Sequence, residues 1–405
     1  LLVHVNLFGG SDVGYKSLQA SLASLFLLST DDPDYLDECQ RHARTLAQAA
    51  ETRSNAGGHI CWQLGYQGIF LAEYYLKTGD AQVLPGLTEL CAWCIDAQAA
   101  GGGGHGDDFG PGYVQSGLKN HTGTPILIAL TLAKECGVAV DDTGYNAAWK
   151  LWYRFAGHGT VPYGDHRAET GASANGRNAM LACALSLLDE PRYQAASEHV
   201  ALTVSDSYHA PEGGHTGGGF NVIWRGIGAA HVPAAKQAHY QRHMDQLSWM
   251  YDLCRQPPPA GRSSGHFELL ATPANNSRYA GPVWGTGGLG LSFTAPRATL
   301  RMTGAPPTAH SVTDGSGKVV VNLPTLTWGS ADDELFFGTE HAAGFGTETD
   351  EPHEVWAKLG NESESVAWYG QHLRHYSYAV RRSAAINLNR INTTAAHSEL
   401  ASAVT

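Results

Sequence analysis

Segments that are apolar on every side alternate with segments that carry a single charged face, and the alternation repeats along most of the chain. Residues 15–28 place Leu18, Leu22, Leu25 and Phe26 at helical spacing, and residues 34–49 follow with Asp37, Glu38, Arg41 and Arg44 along one side. The same pairing joins 68–76 to 84–97, 124–136 to 145–156, 178–188 to 192–205, 220–230 to 237–254, and 283–293 to a short segment at 295–302. A helix that is apolar all round is enclosed by protein, whereas an amphipathic one turns its polar side to water. Each pair therefore reads as an inner and an outer helix. Gly79, Gly137, Pro191 and Gly304 stand where helices should stop. Inner helices begin roughly 50 residues apart, a plausible length for one unit of a helical-hairpin array. The pattern predicts an all-α fold: an (α/α)6 toroid, or barrel, of helical hairpins over residues 11–305. A C-terminal appendage over 306–405 is expected to hold short strands at 318–323 and 334–337 and a loosely held stretch at 392–398.

With 405 residues, 43% of them hydrophobic, the chain can bury a large core. A net charge of −12 argues against nucleic acid or an anionic membrane surface as partner. No apolar run reaches the roughly 18 residues of a membrane span. Seven cysteines lie scattered through helical patterns, and the pair Cys91 and Cys94 falls in an amphipathic stretch with no second pair like it. They read as small buried hydrophobes, not as zinc ligands or a disulfide framework. The chain opens at Leu1 with neither a methionine nor a basic leader, which reads as a processed or trimmed product, and an extracellular or periplasmic setting is expected.

Five glycine-rich, histidine-bearing stretches lead toward inner helices. They are Gly57-Gly58-His59, Gly104-His105-Gly106-Asp107-Asp108, Tyr163-Gly164-Asp165-His166, Gly213-Gly214-His215-Thr216-Gly217 and Gly265-His266-Phe267-Glu268. One large pocket assembled from many loops is expected. In Tyr163-Gly164-Asp165-His166-Arg167, an adjacent Asp and His cannot easily both face a core, so at least one enters the cavity or caps the helix. The helix that follows has a polar start of its own, Asn175-Gly176-Arg177-Asn178. His105 with Asp107 and Asp108 sets two carboxylates beside an imidazole, a grouping that binds a divalent cation or divides into acid and base. A solvated loop explains it equally well. His215 comes before Asn221 and Arg225, which stand one turn apart if a helix begins near Phe220; a helix-capping histidine is the plainer reading. Asn120-His121, His209 and Glu212 complete the polar set.

Several phrases resemble one family: Gly68-Ile-Phe-Leu-Ala-Glu-Tyr-Tyr-Leu-Lys-Thr-Gly-Asp80 with Val83-Leu-Pro-Gly-Leu87, then Pro162-Tyr-Gly-Asp-His166, Asn175-Gly176, and Gly214-His-Thr-Gly217 followed by Phe220-Asn221 and Trp224. That family is a poorly characterised bacterial domain of unknown function, often found downstream of a PDZ domain. The resemblance implies an α/α toroid related in shape to terpenoid cyclases and polysaccharide lyases, and it implies no established reaction. The chain departs from the family pattern at Trp62-Gln63-Leu64-Gly65-Tyr66 and at Gly218.

These residue types fit β-elimination from a uronate-containing polysaccharide, which needs a group against the carboxylate, a base for the C5 proton and an acid for the leaving oxygen. Asn120, Asn175 or Arg177 would neutralise, His166 or His215 would take the proton, and Tyr163 would serve as base or acid. Arg167, Arg177 and Arg225, expected on loops at one end, favour an anionic sugar. The rival is glycoside hydrolysis by two carboxylates from Asp107, Asp108, Asp165 and Glu169. A toroid that binds a glycan or peptide without chemistry is a further alternative, and a cyclase or transferase a minor one. Trp62, Tyr66, Tyr113, Trp224 and Trp284 would stack sugar rings, although core packing is the commoner use of each alone. No cofactor is required; His105, Asp107, His166 and His215 have ligand chemistry for a divalent metal.

Overall fold

The computed structural model describes residues 15–51, 60–99, 102–103, 120–162, 176–205, 218–258, 265–269, 282–321, 323, 364–375 and 378–403. Among them the chain is all-α apart from two two-residue ribbons. Among the described residues eleven α-helices precede residue 295: α1 Tyr15–Ser29, α2 Leu36–Glu51, α3 Ile60–Thr78, α4 Leu84–Asp96, α5 Asn120–Glu135, α6 Asp142–His158, α7 Arg177–Ser186, α8 Pro191–Ser205, α9 Gly218–Ala229, α10 Gln237–Cys254 and α11 Pro282–Thr294. Three more follow near the C-terminus: α12 Val366–His372, α13 Tyr378–Ile391 and α14 Thr394–Ser402.

The expected inner and outer characters are visible in burial. Every side chain of α7 from Arg177 to Leu185 is buried. Helix α2 buries only Cys39, His42, Ala43, Leu46, Ala47 and Ala50, the stripe of an amphipathic helix. Asp32 opens the turn before α2 by accepting the Asp34 N–H at 3.1 Å, and Asp141 caps α6 through the Gly144 N–H at 2.7 Å. Gly79, Gly137 and Gly304 adopt positive φ at the stops.

Packing follows a regular order. Helix α1 packs on α3, α3 on α5, α5 on α7, α7 on α9, α9 on α11, and α11 on α1. Helices α2, α4, α6, α8 and α10 each pack on at least one of those six. The contact between α3 and α5 is set by small residues: a Cβ on Gly65 would lie 2.6 Å from Pro125 Cβ, and one on Gly68 would lie 2.8 Å from Ala129 Cβ.

The C-terminal ends of five of the six helices that are apolar all round, α1, α3, α5, α7 and α9, are bonded to one stretch, residues 294–319, which continues from the end of the sixth, α11. Ser29 Oγ of α1 shares a hydrogen bond with Thr294 Oγ1 at 2.6 Å, and Thr308 Oγ1 donates to Leu76 O of α3 at 2.7 Å. Arg301 Nε donates to Glu135 of α5 at 2.6 Å, and Val319 N donates to Asp189, just beyond α7, at 3.0 Å. His231, just beyond α9, contacts Met302 O at 3.0 Å. These six helices therefore run in the same direction, and 294–319 lies across their C-terminal ends.

Two expectations are corrected here. The sixth pair has no outer α-helix: Pro296 and the left-handed Ala298 (φ 47°) break 295–303 into 3-10 turns. In its place a ribbon of β3 (Arg255–Gln256) and β4 (His266–Phe267) lies on α11, where Thr286 Oγ1 accepts the Phe267 N–H at 2.9 Å. The other ribbon pairs β1 (Gln98–Ala99) with β2 (Gly102–Gly103). Beyond residue 306, the expected strand at 318–323 is only a turn closed by a bridge between Thr313 and Val319, and 334–337 lie outside the described residues. The stretch 392–398 is not loose: Thr393 accepts the Ala396 N–H at 3.2 Å and starts α14. Ala396 is buried with Tyr369, Val380, Ala384 and Leu388 in a small second core.

Candidate functional site

In the sequence the five histidine stretches precede inner helices, and all but Gly265–Glu268 lie outside the described residues. Most of the candidate side chains lie outside the described residues: His105, Asp107, Asp108 and Tyr113; Tyr163, Asp165, His166, Arg167, Glu169 and Asn175; His209, Glu212 and His215. Asn120 is the first residue of α5 and Trp62 the third of α3. His266 belongs to β4, so the fifth stretch does not run straight into α11.

Six candidates are described in full, and all six are buried. Tyr66, Trp224 and Trp284 are no more than 1% exposed and pack together with Phe220. Trp224 Nε1 donates to Tyr66 Oη at 2.6 Å, with the rings 5.8 Å apart and tilted by 63°. Trp284 meets Phe220 edge-to-face at 4.8 Å and lies 6.1 Å from Tyr66. The three rings thus join α3, α9 and α11 as a shared aromatic core. Their expected use as sugar platforms gives way to packing, because no face of them meets solvent.

Arg177 and Arg225 lie buried on helices and not on loops, which corrects the expectation for two of the basic trio; the third, Arg167, lies outside the described residues, and Asn221 is likewise buried, on α9. Arg177 opens α7 and donates through Nε to Val161 O at 3.0 Å. Its neighbour Asn178 accepts the Val161 N–H at 2.7 Å and reaches Gly159 O at 3.4 Å. From the neighbouring α9, Asn221 Oδ1 accepts the N–H of Gly176 at 3.4 Å. Gly176 sits at φ +73°, and a Cβ there would lie 2.7 Å from Trp224 Cβ, so only glycine fits. Residues 163–175 therefore leave and rejoin the described chain beside two clamped positions, Val161 and Gly176.

A similar arrangement holds where α8 ends. His243, on α10, hydrogen-bonds Ser205 O through Nδ1 at 2.8 Å. Burial pushes the His243 pKa down to about 3, with the Arg225 charge adding to it. Burial also lowers Arg225 to about 10, against an opposing pull from Tyr251. The neutral His243 is the residue that sequence reasoning missed. Its only signal is a histidine four residues ahead of the buried Leu247 on an outer helix. In the sequence Asn178 stands out only as part of a polar helix start.

Among the described residues no group of three or more His, Cys, Asp or Glu is arranged to hold a metal, and His105, Asp107, His166 and His215 are not among those residues. All seven cysteines are buried thiols outside any disulfide, and burial lifts the Cys91 thiol to about 12, which suits inert packing. No described helix is long and apolar enough to cross a membrane. No curated protein and no solved structure matches the chain. A family described as a domain of unknown function, DUF6288, matches residues 9–304, from ahead of α1 to the end of the 3-10 turns. The chain is a member of the DUF6288 family.

Proposed function

We propose that the chain is an (α/α)6 toroid whose single working end acts on an anionic polysaccharide, cleaving it by β-elimination. The observation that carries this reading is the polarity of the six-helix series. Each helix packs on the next and the last on the first, the C-terminal ends of the first five are bonded to 294–319, which continues from the sixth, and in the sequence a histidine-bearing stretch precedes every one of the six but α1. Chemistry gathered at one end of a helical ring makes one large site. Helix N-termini carry partial positive charge, which suits a uronate carboxylate in a chain whose net charge is otherwise −12.

In this reading Tyr163, His166 and His215 supply the base and acid, and Asn120, Asn175 and Arg167 hold the carboxylate. Asp165, His105 and Asp107 complete the lining. Arg177, Asn221 and Arg225 support the loops from below, as the aromatic core does. The appendage beyond 306 has no assigned part in the chemistry, and no cofactor is invoked.

The deciding experiment offers a panel of uronate-containing and neutral polysaccharides to the full chain. Elimination releases an unsaturated uronide seen by ultraviolet absorbance. Reducing ends without that absorbance indicate hydrolysis and overturn the lyase reading. A glycan-dependent rise in melting temperature with neither product indicates a binding toroid.

A further inference from the structure

A cleft of about 390 Å³ opens where α1 and α3 end and the chain turns into α2, and the chemistry assigned above makes no use of it. Its volume falls within the range of small-molecule sites, about 300–1,000 Å³. The buried Leu27, Leu28 and Cys39 give it an apolar base, and the partly buried Tyr35 also lines it. Two opposite charges stand at the rim, Asp31 and Lys77, and their side chains form an ion pair. Both keep contact with water, Asp31 at 54% exposure and Lys77 at 23%. Lys77 Nζ also donates to Thr299 O at 3.4 Å. The turn that presents Asp31 follows from its sequence. Pro33 restricts Asp32 to extended backbone, φ −85° and ψ 116°, and the reversal out of α1 falls on Asp31 at φ 59°. A residue with a side chain rarely adopts that left-handed conformation, and such strain gathers at ligand clamps. The neighbouring Asp32 carboxylate is used within the turn, where it accepts the Asp34 N–H at 3.1 Å.

We propose that this cleft binds a zwitterionic α-amino acid with an apolar side chain. The ligand's ammonium replaces Lys77 at Asp31, its carboxylate meets the released Lys77, and its side chain lies over Leu27, Leu28 and Cys39. The paired rim charges decide the class. A lone ammonium would leave Lys77 without its partner, and a lone carboxylate would do the same to Asp31. A ligand that carries both signs satisfies both, through charge-assisted hydrogen bonds. The cleft also lies at the last turns of α1 and α3, whose terminal carbonyls carry partial negative charge and favour the ammonium. The inference is independent of which reaction the working end performs.

Isothermal titration calorimetry of the full chain with leucine, phenylalanine, phenethylamine and hydrocinnamate tests it. Both amino acids are expected to bind with a Kd below about 1 mM. Phenethylamine lacks the carboxylate and hydrocinnamate the ammonium, so each is expected to bind at least about tenfold more weakly than phenylalanine. Lys77→Met and Asp31→Gly each remove one rim charge, and glycine suits φ 59°. Both variants should bind phenylalanine at least about tenfold more weakly, with an unchanged circular dichroism spectrum. No binding of either amino acid below a Kd of about 1 mM overturns the proposal. So does an analogue that binds as tightly as phenylalanine, or native affinity in either variant. Should a variant fail to fold, the native chain with the two analogues decides between the same results.

Discussion

The carboxylate of Glu73, on α3, caps the main chain at Arg301: its two oxygens accept the N–H groups of Arg301 and Met302 at 2.9 and 2.7 Å, in a site sealed from water. Arg301 in turn bonds Glu135 on α5 through Nε and Ala305 O through Nη1, and Ser311 Oγ bonds the same Glu135 oxygen at 2.6 Å. One turn of 3-10 helix is thus tied to two neighbouring inner helices. Removing the cap should be costly. Glu73→Ala leaves two buried N–H groups without acceptors and is expected to lower stability by about 3–5 kcal/mol, read by urea unfolding. A loss below about 1 kcal/mol would mean the turn finds other acceptors.

The same carboxyl predicts a pH dependence. Burial raises the Glu73 pKa to about 7; Glu135 adds to the rise, while the two main-chain bonds and Arg301 oppose it. A raised carboxyl pKa means the folded chain holds the proton more tightly. Its contribution is therefore full below about pH 4.5 and is lost as pH rises through about 7, to a total of about 3 kcal/mol. Glu73→Gln cannot titrate. The native chain should lose stability relative to Glu73→Gln between about pH 5 and about pH 7.5, and a flat difference would contradict the assignment.

Buried imidazoles act in the opposite sense. Burial lowers His42 to about 4, His231 to about 4 and His243 to about 3. Their stability is complete above about 6.5 and falls as pH drops toward the folded values, by about 1.4 kcal/mol per pH unit for each group. His243→Gln should make the acid limb of the stability profile shallower by about one proton, measured by urea midpoints from about pH 7 to about pH 4.5.

Close approach of α3 to α5 gives a steric prediction. Gly65→Ala would drive a methyl into Pro125 and the backbone of Ile126, and is expected to cost about 1–3 kcal/mol. Gly315→Ala, with nothing within 4 Å, should change stability by less than about 0.5 kcal/mol. Thermal denaturation of both variants separates a packing glycine from a surface one.

For the proposed chemistry, His166→Ala and His215→Ala are each expected to abolish release of unsaturated product while leaving the circular dichroism spectrum and melting curve unchanged. Full activity in both would remove them from the mechanism. Asn178→Ala should instead lower stability by about 1–3 kcal/mol, because the buried Val161 N–H loses its acceptor.

Much of the helical order was legible from local pattern. Residues 237–254 were read at both ends as found for α10, and 84–97 differs from α4 by one residue. Local pattern places the start of α3 at Gly68, eight residues after its true start at Ile60, because glycines inside 60–68 weaken the helical signal. Those glycines are helical because Pro125 and Ala129 of another helix need the space. The strand expected at 318–323 failed for a related reason. A short run such as Val319-Val320-Val321 has strand character but no partner strand among the described residues, and it closes a turn at Asp314.

Of the candidate site, the residue types were legible but their depth was not. Tyr66, Trp224, Trp284, Arg177, Asn221 and Arg225 looked like lining residues, since each is polar or aromatic and close to a helix start. Only tertiary packing turned them inward, onto one another and onto Val161 and Gly176. The sequence by itself determined that this protein is built of helices and which of them are apolar all round, because side-chain periodicity within one helix sets which faces leave water. Which helices touch, what covers their C-terminal ends and which polar groups are buried depended on contacts between residues far apart in the chain. Glu73 meets Arg301 across 228 positions, a distance no local pattern can register.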